Sequence, residues 1–444
     1  MKIRTALHVI LLQMVLFSGA YPWSEHGMGT YPALEVLKGM ENLPDAETEE
    51  LADFLWQEKE KIQKFLDGEE KWLEKNIPKY PPLPAEMHFI ASRVTKENIV
   101  EKFFHALRIN PGIKVLYYVY VPPGKTTSYT EKISGREVSI FPDSDDLDVN
   151  DYYKIKIGQK VKPIEVLATA SDEPDYGHDI GIWEDNGTAY GIAYKMGKQP
   201  FGDPRLEYGS QAPMHMGFYH EAWIVRTAAG YLKRTYPEYR IRMYASLARF
   251  AKSTGHDYWS YRFAGWGLHH VEDLTMPYHS TVLPGVWSGK MVWIATKKMM
   301  GFPRSQNENL NIVSNRHTVI ERFQRSVMRD SALHAGGISP IFAALQNTSM
   351  DKEYGKFHDQ YPRKVIAKES NGRAKKLARK MEKYMPYKMV NDPAYNCVND
   401  WNYPYTFMKS QMPGNVRVME EELAVHFQSF GAHARNYVRG LYFP

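Results

Sequence analysis

The stretch GWGLHHVEDLTMPYH (265–279) constrains this chain more than any other. His269 and Asp273 stand four residues apart in a run of helical spacing from about Asp257 to Leu274, so both side chains leave the same face of one helix. Pro277 ends that helix, and His279 follows in a turn that brings a second imidazole back beside the first. Another pair of the same spacing, His317 and Glu321, lies in NRHTVIERF. Single pairs mean little, because 16 His and 51 acidic residues give roughly two by chance in a chain of 444. The longer pattern, with a further His six residues after the Asp, has a chance expectation of roughly 0.03 and asks for a chemical reason. Imidazole and carboxylate donors without thiolate suit a metal site with open positions better than a closed structural one. The competing reading is a satisfied helix pair with His279 on the surface.

The remainder of the chain has an ordinary globular composition, 43% apolar and 24% charged, which sets collagen, solenoid and disordered classes aside. Its length fits one large domain or two modest ones. The formal net charge of +5 is spread along the sequence, so no stable nucleic-acid partner is expected. Lys2 and Arg4, the apolar run ALHVILLQMVLF and Ser18-Gly19-Ala20 together read as a signal peptide over 1–20, so a secreted or periplasmic protein is expected. That run is too short to span a bilayer, and no later stretch reaches the ~18 residues of a transmembrane segment. Cys397 is the only cysteine and is expected to be a buried small hydrophobe, leaving core burial or bound metal to stabilise an exported fold.

The apolar periodicity predicts one long or two short helices over 46–76, before Pro78, Pro81, Pro82 and Pro84 break the pattern. From 86 to 163 the character becomes β-type, with VLYYVYV (115–121), REVSIF (136–141) and YYKIKIG (152–158). Helical spacing returns over 214–274, as one run to about Tyr236, a second to Gly255 and a third from Asp257, and again over 309–333 and 417–440. The expected fold is therefore mainly α, with 86–163 as an inserted β-containing segment. Tyr117, Tyr118 and Tyr120 in that segment read as half-buried strand packing, with a lid as the alternative.

At these residues the chain resembles the zinc-dependent phospholipases C, which share an all-helical fold with the fungal single-strand nucleases. GWGLHHVEDLTMPYH is similar to that family's HxxxD then PxH signature, and HTVIE to its HxxxE ligand pair, whose Glu is closer to the phospholipase branch. DEPDY (172–176) resembles the segment that supplies an Asp ligand, and QAPMHMGFYHE the one that supplies the next His, read as His215 in preference to His220. The resemblance implies Asp175, His215, His269 and Asp273 around a first zinc, with Asp273 bridging, and His279, His317 and Glu321 around another. It also implies a third position held by Trp23 and a nearby imidazole. Tyr31 stands where the family has His, which leaves His26 or a tyrosinate as the substitute. Cleavage after Ala20 would bury the Trp23 amine in a peptide bond.

On this resemblance, 21–85 is the N-terminal helical part of a catalytic domain, 86–163 an insertion and 164–444 the main helical catalytic part. The implied activity is a phospholipase C type phosphodiesterase with two or three Zn2+, acting on phospholipid at a membrane surface, with Asp175 orienting or deprotonating the attacking water. Two alternatives are a single-strand-specific zinc nuclease, with Trp183, Trp223, Trp259 and Trp266 as stacking aromatics, and an exported binding protein with a decayed metal site. His270, about 100° around the helix from His269, is expected to be expendable.

Overall fold

A computed structural model describes residues 25–141, 147, 149–302, 304–333, 339–395 and 403–443. The proposed signal peptide, Trp23 and Cys397 lie outside the described residues. The structure is mainly helical, with 64% helix and 4% strand, as the periodicity predicted. No helix among the described residues is long and apolar enough to cross a membrane.

The pattern over 46–76 forms one helix, Leu51–Asn76, which buries Leu51, Phe54, Leu55, Ile62, Leu66 and Leu73 on one side. The second and third runs of 214–274 form the helices Pro237–Ser253 and Asp257–Asp273, with Pro237 at the first turn, where its missing N–H costs nothing. The first run is not continuous. It divides into the helix Glu207–His215, an irregular link and the short helix Trp223–Ala228. The last two runs extend to Arg304–Leu333 and Pro413–Tyr442.

The helix Asp257–Asp273 is buried from Tyr258 to Asp273, which an amphipathic surface helix never is. Three helices enclose it: Pro163–Asp172, Pro237–Ser253 and Pro413–Tyr442. Close approach on one side depends on Gly265, where a Cβ would lie 2.5 Å from Ala170 Cβ and 2.8 Å from the Leu167 carbonyl oxygen. Trp259 and Trp266, on the same helix, and Trp183 are fully buried, so these three are core residues and offer no face to a nucleic-acid base.

Strand structure in 86–163 is sparser than its sequence suggests. β2 (Tyr118–Val121), β4 (Asp151–Lys154) and β3 (Lys132–Ile133) form an antiparallel sheet in the order β2-β4-β3, with Tyr120 opposite Tyr152. REVSIF is not a strand; Gly135–Val138 is a helical turn, because Ser134 and Glu137 form a reciprocal capping box. The helix Ile99–Leu107 also falls in this span. A second ladder pairs β1 (Ala46–Glu47) with β5 (Lys160–Val161). Tyr118 and Tyr120 are buried and the Tyr117 hydroxyl accepts the Leu51 N–H at 3.0 Å, so the tyrosines serve packing and not a lid.

Gly265→Ala gains about 1 kcal/mol of helix propensity but forces two helices apart, a cost of about 1–3 kcal/mol. A lowered melting temperature is expected, and calorimetry checks it.

Candidate metal centre

Eight of the nine residues implied as ligands are described, and the structure brings all eight into one buried cluster. His26 opens the helix His26–Glu35, Asp175 sits in the 3-10 turn Glu173–Tyr176, and His215 ends the helix Glu207–His215. His269 and Asp273 share the central helix, His279 follows in the turn Pro277–Ser280, and His317 and Glu321 share the helix Arg304–Leu333. All are buried, and Asp175, with 7% of its side chain exposed, is nearest solvent. His279 is therefore no surface loop residue. His220 lies elsewhere, 2.6 Å from the Arg363 carbonyl oxygen.

The donor atoms form two groups. In the first, Asp273 Oδ2 lies 2.9 Å from His215 Nδ1 and 3.3 Å from His269 Nε2, and the two imidazole nitrogens are 3.0 Å apart. Asp175 Oδ1 completes it at 3.5 Å from His269 Nε2 and 3.8 Å from His215 Nδ1. In the second, His279 Nε2 lies 3.1 Å from His317 Nε2 and 3.5 Å from Glu321 Oε1, which is 2.6 Å from His317 Nε2. Tetrahedral bonds of 2.0–2.1 Å place donors about 3.3 Å apart, so both groups have the size of a metal's ligand shell. The first has four donors, and the second has three.

His26 points into the same cluster, its Nε2 3.6 Å from Asp273 Oδ1. Asp273 thus turns one oxygen to His215 and His269 and the other to His26, with His279 Nδ1 3.1 Å from that second oxygen. Tyr31, five residues further on, faces the opposite way, into a surface cavity of about 470 Å3 shared with Glu35 and Lys125. It takes no part in the cluster, whereas His26 lies within reach of Asp175 and His269.

Three of the inward nitrogens, those of His269, His26 and His215, are oriented from behind. The Ser171 carbonyl accepts from His269 Nδ1 at 2.8 Å; a carbonyl only accepts, so a neutral ring turns its Nε2 lone pair inward. Glu272 Oε2 holds His26 Nδ1 at 2.8 Å, while Thr30, one helical turn after His26, donates to Glu272 Oε1 at 2.7 Å. Asp179 Oδ2 faces His215 Nε2 at 3.4 Å. Burial opposes ionisation of Asp179, but the Arg240 guanidinium and His215 outweigh it and hold the carboxyl at about 2. Arg262 binds both Glu173 oxygens, at 2.8 and 3.0 Å, and so fixes the turn that carries Asp175. Asp172 accepts the backbone N–H groups of His26 and Gly27, and a Cβ on Gly27 would lie 2.7 Å from its Oδ2.

Imidazoles and carboxylates therefore converge with no lysine or arginine paired to the inward carboxylates among the described residues. Every ion-pair contact of Asp175, Asp273 and Glu321 among the described residues is with a histidine. His26 Nε2, Asp175 Oδ1 and Asp273 Oδ1 have no hydrogen-bond partner, an expensive state for buried polar atoms. Burial pushes the Asp175 and Glu272 carboxyls well up and His26 down to about 3. His279 goes the other way, to about 10, because Asp273 and Glu321 outweigh its burial. The residues present fit a divalent cation, which would satisfy the inward atoms together where a proton bridges only one pair.

Sequence reasoning missed the orienting residues Asp172, Asp179 and Glu272; the only signal was their position one, three or four residues from a proposed ligand. It also misplaced His270. That ring is fully buried, stacked on Tyr244 at 5.9 Å and edge-on to His215 at 4.9 Å, with both nitrogens unpartnered. His270→Ala leaves a cavity against a proposed ligand and is not expendable. No protein-family model, curated protein or solved structure matches this chain.

Metal analysis of the purified protein is expected to find at least two ions per chain, and a chelator to lower its melting temperature. Glu272→Gln leaves either His26 or Thr30 without its acceptor and is expected to weaken the ion beside His26 by about 10–100-fold, with the other positions retained. Competitive titration with a metal indicator reads that difference.

Proposed function

We propose that this chain is a secreted zinc-dependent phosphodiesterase of phospholipase C type that hydrolyses phospholipids at a membrane surface. The observation that carries the reading is the convergence of His215, His269 and His26 on the two oxygens of Asp273 beside a second group of His279, His317 and Glu321, which provides for two ions, or three with His26. The donor set, all imidazole nitrogen and carboxylate oxygen, suits zinc, and the second group keeps a position open for substrate or water. Zinc bound there supplies Lewis acidity towards phosphoryl oxygens and lowers the pKa of coordinated water from 15.7 to about 7.

The residues of the chain perform the rest. Asp175, the donor nearest solvent, orients the attacking water and takes its proton. Water oxygen bonds to phosphorus, the bond from phosphorus to the diglyceride oxygen breaks, and the proton ends on that oxygen, giving a phosphomonoester and an alcohol. Asp273 holds the two sides of the cluster in register, while Glu272, Asp179 and the Ser171 carbonyl keep the imidazoles from rotating. Trp183, Trp259 and Trp266 are enclosed, so of the four aromatics named for stacking only Trp223 is exposed, whereas single-stranded nucleic acid binds through a series of such faces; this favours the phospholipid. The orienting contacts behind His26, His215 and His269 argue against a decayed site.

The test is a panel of phosphatidylcholine, sphingomyelin and single-stranded DNA, assayed with and without chelator. Phospholipid hydrolysis abolished by the chelator and restored by zinc is expected; cleavage of the DNA alone would move the assignment to the nucleases. Asp273→Asn is expected to lose activity more completely than His317→Ala, because the carboxylate serves both sides of the cluster and its amide carries no charge. Equal small losses would remove the assignment.

A further inference from the structure

Two segments expose large aromatic side chains, and each follows a residue of the metal cluster by eight positions in the chain. His215 is followed eight residues later by Trp223, at the start of the helix Trp223–Ala228. His279 is followed eight residues later by Trp287, before the helix Ser288–Met299. Trp223 is 77% exposed, Trp287 69%, Trp293 54% and Phe302 65%. The two short helices pack side by side, and Val225, Ala229, Leu232, Leu283 and Met291 line an apolar groove between them. Isolated exposed apolar residues are ordinary in folded proteins; several indoles on two adjoining segments are not.

Charge distinguishes the possible occupants. No Asp or Glu occurs between Glu221 and Glu238 or between Asp273 and Glu308, whereas Lys233, Lys290 and Arg304 are exposed in these spans. Lys297 lies 5.4 Å from the centre of the Trp293 ring. Glu221 turns inward to accept the Val282 N–H at 2.7 Å, and Glu308 pairs with Arg304 at 2.8 Å. The patch therefore combines indoles with Lys233, Lys290 and Lys297, while Arg304 is compensated by Glu308. Indoles prefer the boundary between headgroups and acyl chains, and cations near it are attracted to anionic lipid.

We infer that the face formed by residues 223–233 and 287–302 is a docking surface for an anionic lipid bilayer, which seats the metal cluster beside the interface. The choice of lipid as the occupant rests on the phospholipase reading; the composition of the face is independent of it. Trp223, Trp287 and Trp293 insert at headgroup depth, and the lysines select negatively charged membranes.

The experiment is co-sedimentation of the full-length protein with vesicles of phosphatidylcholine alone and of equimolar phosphatidylcholine and phosphatidylserine, read together with the shift of tryptophan emission. Binding is expected to be tighter on the mixed vesicles and to weaken with salt. Trp223→Ala combined with Trp287→Ala and Trp293→Ala is expected to reduce binding at least about tenfold, and Lys290→Ala about fivefold on the anionic vesicles alone. In parallel, hydrolysis of a short-chain phosphatidylcholine below its micelle concentration is expected to be unchanged in these variants, which also shows that they are folded. Hydrolysis of the monomeric lipid with no vesicle binding, or self-association abolished by the tryptophan variant with no vesicle binding, overturns the docking surface. Vesicle binding without hydrolysis of any phospholipid leaves the docking surface standing and removes the enzymatic reading.

Discussion

Asp273 has no contact with solvent, and imidazoles crowd both of its oxygens: His215 and His269 at one, His26 and His279 at the other. A buried carboxylate is costly unless paired, and here the pairing is with side chains whose own charge is conditional. Although burial opposes it, the surrounding histidines keep Asp273 ionised, well below the usual carboxylate range. The arginines in the neighbourhood are committed one layer further out, Arg240 to Asp179 and Arg262 to Glu173. This division of labour leaves the inner layer electron-rich and the outer layer neutral, the arrangement expected around a cation.

The fold delivers this arrangement through helix packing. The central helix carries His269 and Asp273 and is enclosed by three others, so its polar residues emerge at its C-terminal end into a space that those helices frame. Small residues set the distances. Gly265 admits the helix Pro163–Asp172, and Gly27 admits the first turn of His26–Glu35 onto Asp172. His26 and Thr30 then meet Glu272 from one face of their helix, as residues four apart must.

The sequence made the central helix, its HxxxD pair and the later HxxxE pair legible because helical periodicity and ligand spacing reinforce each other over a few residues. Asp175 and His215 lacked such local support and were placed by resemblance alone. Glu272 and Asp179 escaped because an orienting contact has no spacing rule: His26 and Glu272 are 246 residues apart. REVSIF misled because its alternation satisfies a strand template, while the capping box that bends it needs only Ser134 and Glu137. His270 misled because an angle around a helix says which way a side chain points, and on a helix enclosed on all sides every direction is inward.

The ladder between β1 and β5 closes the chain on itself at Ala46 opposite Val161. Whatever lies between is a loop whose ends are already held together, apart from the elements that return to the helical core. The entropy of closing such a loop grows only logarithmically, by about 0.6 kcal/mol for each doubling of its length. The spacing of His26 from Asp175 along the chain is therefore almost free to vary, while their spacing through space is not. The parts of that segment which do return are fixed by other means: the Leu107 and Arg108 carbonyls hold Arg240, the partner of Asp179, so length can vary only in the turns between such anchors.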